Sequence, residues 1–205
     1  MKESLKVPGF GQSDPTDGRV LLDWESRYPA PARGSILREA VYLGALLFAI
    51  PSLMICIWRE IPKHILSLTD DSYRILQKYG FAWLAGTLGG TLFDLKWLYH
   101  TVARQLWHMD RRLWRIFTPH ISGGLAFATV ALISSGAMRI FDTNAMKSIS
   151  LVTGISFLVG YFSDSAIAKL TDVAETLFGT SRSKEKHERE QIPEPPPAGQ
   201  ARDGE

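Results

Sequence analysis

Asp94 closes a series in which Ala82, Gly86 and Gly90 recur every four residues. At 3.6 residues per turn the four share one face of a helix. The surrounding stretch, GTLGGTLFDLKWLYH (residues 86–100), passes from glycine-rich and apolar to charged within a few positions, with Lys96 close behind the acid. Two chemistries are open to such a carboxylate. Inside a bilayer an ionisable group is costly and marks an ion or proton path. At the bilayer edge it only shows where the hydrocarbon ends. The edge is the expectation here, because Lys96 can snorkel toward headgroups, and Trp97 and Tyr99 suit the interfacial belt. On insertion scales a charge at the bilayer centre costs about 2.5–3.5 kcal/mol, and much less at the rim. Asp164 ends another apolar block in the same way. Asp94, Lys96 and Asp164 are therefore the candidate rim or partner-contact groups.

The segment DLKWLYHTVARQLWHMDRRLWRIFTPH (residues 94–120) interleaves cations with tryptophans. Arg104, Trp107, Arg111, Arg112, Trp114 and Arg115 are the candidate headgroup contacts, since a basic, aromatic, amphipathic helix lies well on an anionic leaflet. Leu98, Val102, Leu106 and Met109 supply its apolar stripe, and Asp110 is expected to cap a second short helix that Pro119 breaks. The same interleaving occurs in single-strand nucleic-acid binders. The flanking apolar blocks and a net charge of only +2 argue against nucleic acid here. His100, Arg104 and His108 share a face, but two histidines without a third ligand make a poor metal site. No Ser-His-Asp set, phosphate-binding glycine loop or HExxH is present. The expectation is a protein without catalytic residues, cofactor or metal.

Four apolar blocks position these groups. Ala40–Trp58 is uncharged over nineteen residues, about 28 Å as a helix and close to the hydrocarbon thickness. Pro51 lies inside it and is expected to kink it. The others are GFAWLAGTLGGTLF (80–93), ISGGLAFATVALISSGAM (121–138) and ISLVTGISFLVGYF (149–162). A mean hydropathy near zero hides these blocks by averaging them with polar ends. The fold expected is all-α: a polytopic bundle of four transmembrane helices at about 40–58, 80–99, 121–138 and 148–163, within a membrane domain spanning 35–179. Close helix packing is assigned to Ala82, Gly86, Gly90, Gly124, Ala128, Gly154 and Gly160, small residues that let backbones approach.

Lys and Arg number seventeen in residues 1–39, 94–120 and 163–205, against six in 59–79 and 139–148. This bias puts both termini on the cytoplasmic side of an inner membrane. Residues 1–34 and 180–205, rich in Pro, Gly and charge, are expected to be disordered. In the loop between the first two blocks, Thr69 is expected to cap one short helix, with Asp70 and Asp71 in its first turn. SDSAIAKLTDVAETLFG (163–179) reads as an acidic amphipathic helix with Ser163 as cap and Gly179 as stop. The one cysteine, Cys56, excludes an intramolecular disulfide.

Three features, the Gly89-Gly90 pair, RRLWRIFTP and FLVGYFSDSAIAKLTDVAETLFG, resemble a loose group of uncharacterised bacterial four-span inner-membrane proteins over residues 80–179. Thr118 stands where that pattern has arginine. The resemblance implies an inner-membrane location and carries over no activity. Together these readings lead to a non-enzymatic membrane component that self-associates, contacts anionic lipid and binds a cytoplasmic partner. The alternative is an oligomeric channel, transporter or membrane-disrupting effector.

Overall fold

The computed structural model describes residues 25–136 and 145–178, all helix and connecting turns, with no strand among them. Residues 1–24, all of 180–205 and the end of the 121–138 block lie outside the described residues, while residues 30–34, expected to be disordered, are helical. The chain divides into two compact units, Met1–Ile167 and Ala168–Glu205.

In the first unit the principal helices are α1 (Ala30–Trp58), α2 (Ile61–Ile65), α3 (Asp70–Ala103), α4 (Arg112–Ser134) and α5 (Ile149–Tyr161), and α6 (Ser163–Phe178) begins there. Single 3₁₀ turns at Met109–Arg111 and Ala145–Lys147 precede α4 and α5. Two helical segments, Ala30–Trp58 and Met109–Ser134, are long and apolar enough to cross a membrane, and a third is added if α5 and α6 count as one bent span. A row of exposed apolar side chains on α1, including Leu37, Val41, Phe48, Ile55 and Trp58, is the surface that lipid would cover.

Helix α3 explains why reading block by block misjudges this chain. Thr69 caps it by accepting from the Ser72 amide, and Asp70 and Asp71 favour its positive N-terminus. The expected short helix is thus the first turns of a single rod of 34 residues, about 51 Å long. α3 is not among the helices apolar enough to qualify as spans. It packs against α1, α4 and α5, so other helices cover the surface that lipid would otherwise meet.

The contacts also set directions. Tyr73 of α3 donates its hydroxyl to the Ile57 carbonyl near the end of α1, while Leu98 packs on Leu43 near the start of α1. Those two helices are antiparallel. Gly86 faces Ala126 and Gly90 faces Pro119, so α4 also runs against α3. Gly86 meets Gly160, and Arg74 to Tyr79 share a cavity with Ile149, so α5 runs with α3.

Two expected elements change. The middle loop does not carry its own helix: α3 runs on to Ala103, a turn bridges residues 104–108, and α4 starts at Arg112. Nor does Pro119 end a helix, since it lies inside α4, fully buried against α3. A proline there removes one amide and strains the preceding turn. Thr118 bonds back to the Trp114 carbonyl at 2.8 Å, and the Tyr42 hydroxyl from α1 donates to the Ile116 carbonyl at 3.0 Å. These neighbours secure the turn that the proline loosens.

The second unit is described only over the rest of α6, where Lys169 and Asp172 form an exposed pair at 3.6 Å.

Candidate functional site: a buried polar knot around Asp94

Glu39 lies on the face of α1 that also buries Ser35, Leu43 and Ile50. Its carboxylate takes three donors. Arg115 Nε approaches Oε2 at 2.7 Å and its Nη2 approaches Oε1 at 3.2 Å, while the Trp107 indole donates to Oε2 at 3.1 Å. The Arg115 Nη2 also donates to the His108 carbonyl at 3.1 Å, and the guanidinium lies 5.5 Å from the Trp107 ring centroid. Glu39 is 3% and Arg115 4% exposed. Fork geometry and full donor satisfaction are what make a buried ion pair tolerable.

One turn along α1, Tyr42 reaches the same end of α4. Its hydroxyl donates to the Ile116 carbonyl and lies 2.9 Å from His120 Nε2. A hydroxyl has one proton, so with that proton on Ile116 the histidine nitrogen is the donor of the second contact. Tyr28 adds a clasp: its hydroxyl donates to the Thr101 carbonyl at 3.4 Å and accepts the Trp107 amide at 3.3 Å, holding the turn after α3.

Asp94 completes the group from α3. It is 0% exposed, and neither carboxylate oxygen has a hydrogen-bond partner among the described residues. Glu39, Tyr42 and Arg115 lie within its electrostatic reach. The Arg115 fork is already committed to Glu39. Glu39, Arg115 and Asp94 when ionised therefore carry one net negative charge in a buried setting. Such a charge is expensive unless a proton or cation balances it. The Ser122 and Ser156 hydroxyls, both fully buried, also lack partners.

The glycine seam holds α3 in place beside this knot. A Cβ at Gly160 would run into the Gly86 carbonyl, and one at Gly90 would lie 2.5 Å from Ser122 Oγ and 3.1 Å from Pro119 Cα. Only bare backbone allows that approach.

Several candidate residues lie elsewhere than expected. Asp94 is not at a solvated rim but enclosed, on a helix that packs against α1, α4 and α5. Lys96 and Asp164 are exposed. Trp107 and Arg115 are buried in the knot and unavailable to headgroups, whereas Arg104, Arg111 and Trp114 are exposed and Arg112 is partly so. Ala82, Gly86, Gly90 and Gly160 lie in the seam, Gly124 touches the Trp83 ring, and Ala128 and Gly154 face outward. The packed face of α4 is instead Ser122, Gly123 and Ala126, rotated from the Gly124–Ala128 face. Glu39, Tyr42 and His120 were not singled out by sequence reasoning. For Glu39 a signal existed, since it shares its helical stripe with Leu43 and Ile50. No group of three or more His, Cys, Asp or Glu suited to a metal occurs among the described residues. No protein-family model, curated protein or solved structure matches the chain.

Proposed function

We propose that this chain is a non-enzymatic inner-membrane protein whose bundle carries an exchangeable proton or small monovalent cation at Asp94, as a component of a channel or transporter. The observation that carries this reading is the enclosed, unpartnered Asp94 carboxylate beside an ion pair that is already complete. The order of α1, α3, α4 and α5, each consecutive pair of α1, α3 and α4 antiparallel, supports a four-pass arrangement in which α3 crosses inside the bundle. The excess of Lys and Arg at the knot's end supports N-in and C-in.

Infrared spectroscopy on the purified protein tests the site. A carboxyl band that converts between protonated and ionised forms on changing pH or Na⁺, and that Asp94→Asn removes, is expected. A spectrum indifferent to the substitution would sink the proposal.

Self-association with a cytoplasmic partner and anionic lipid is the second reading. The outward-facing Ala128 and Gly154 favour it, because a side chain at Gly154 would meet nothing within 4 Å, which leaves room for another helix. Sedimentation of the detergent-solubilised protein as a monomer alone, unchanged in Gly154→Leu, would rule it out.

A further inference from the structure

A cavity of about 600 Å³ opens at the end of the bundle opposite the knot, between the first turns of α3 and the start of α5. That volume is typical of a small-ligand site. Three cations line it, Arg74, Lys78 and Lys147, together with the apolar Ile75, Met146 and Ile149. Arg74 and Lys78 lie four apart on one helix, a spacing that sets like charges against each other. Asp70, one turn before Arg74, is bonded to Lys63 at 2.7 Å and offsets part of the Arg74 charge, Asp71 is exposed beside it, and no acid among the described residues lines the cavity. Lys78 also rests over the Tyr79 ring, at 5.6 Å. The cavity lies where the apolar segments of α3 and α5 begin. Its lining thus has a cationic part for a phosphate and an apolar part for a chain.

We propose that this cavity binds the phosphodiester headgroup of an anionic phospholipid, with Arg74 and Lys78 on the phosphate and Ile75 and Ile149 against the glycerol-proximal acyl carbons. The site is separate from Asp94 and does not depend on what that residue carries.

The test is native mass spectrometry of the full-length protein released from nanodiscs of phosphatidylglycerol mixed with phosphatidylcholine. The expected result is selective retention of phosphatidylglycerol by the wild type. Retention should fall at least tenfold in Arg74→Gln/Lys78→Gln and recover in large part with Arg74→Lys/Lys78→Arg. Both positions are partly or fully exposed, so the fold should tolerate the changes. Arg33→Gln/Lys169→Gln removes the same charge outside the cavity and should leave retention unchanged. Equal loss in both double variants would mean general surface attraction and overturn the proposal, as would full retention in Arg74→Gln/Lys78→Gln. Displacement of the lipid by millimolar inorganic phosphate would overturn it in favour of a free-phosphate site.

Discussion

Glu39 and Asp94 are acids buried in the same knot, on helices that touch, yet their surroundings are opposite. Glu39 receives a bidentate guanidinium and an indole N–H, while Asp94 receives no donor from the described residues. An acid with its donors in place is part of the scaffold. An acid enclosed without them costs stability, and such cost is tolerated at functional sites. The contrast separates a residue that holds α1 to α4 from one whose carboxylate is left without donors, the residue to which cation exchange is assigned under the proposed function.

The largest effect should come from breaking the complete pair. Arg115→Ala strands the Glu39 carboxylate and should cost about 3–5 kcal/mol, the range for removing one partner of a buried ion pair. Denaturant titration in detergent micelles measures it, and a loss below 1 kcal/mol would show that the pair is not structural. Next is the seam beside the knot. Gly160→Val places side-chain atoms against the Gly86 carbonyl and should cost about 1–3 kcal/mol as overpacking. Gly154→Ala on the open side of α5 should stay within about 0.5 kcal/mol. Equal effects at the two glycines would contradict the α3–α5 contact.

The third prediction sharpens the comparison through its size. Glu39→Gln removes the charge from a fully bonded ion pair and should destabilise, whereas Asp94→Asn, which mimics a carboxyl already neutralised by its proton, should change stability at neutral pH much less. If both substitutions destabilise alike, Asp94 has a donor in the folded protein.

The smallest effect belongs to an exposed pair far from the knot. The Lys63 ammonium, 2.7 Å from Asp70, holds that carboxyl below the ordinary carboxylate range, while Asp70 in turn raises Lys63. A depressed folded pKa adds stability that is present above the unfolded value near ~3.9 and fades as pH falls through the lower folded value. Asp70→Asn should therefore lower the melting temperature slightly at neutral pH, and the difference should shrink as pH falls below about 4. A loss of stability that appeared only below about pH 4 would refute this assignment.

Much of the architecture is legible in local patterns. The run Ala40–Trp58 lies in α1, Thr69 and its two aspartates mark a helix start, and Ala82, Gly86 and Gly90 share a packed face. What is not legible depends on distant pairing. Arg115 lies among exposed cations and tryptophans, and nothing in its neighbourhood reveals a carboxylate 76 positions away. Pro119 reads as a breaker because its compensating hydroxyl, Tyr42, lies 74 positions from the carbonyl it serves. Asp94 reads as an edge residue because a block of fourteen apolar residues suggests a short span meeting water. In the bundle the same helix is enclosed, so its polar residues end up inside protein.

Flux through proteoliposomes tests the central claim most directly, with wild type and Asp94→Asn inserted in equal amounts and a proton or Na⁺ gradient imposed. Flux above empty liposomes that falls at least tenfold with the substitution is the predicted result. No flux from correctly inserted wild type, or equal flux in both proteins, would contradict the assignment of Asp94 as the exchanging group.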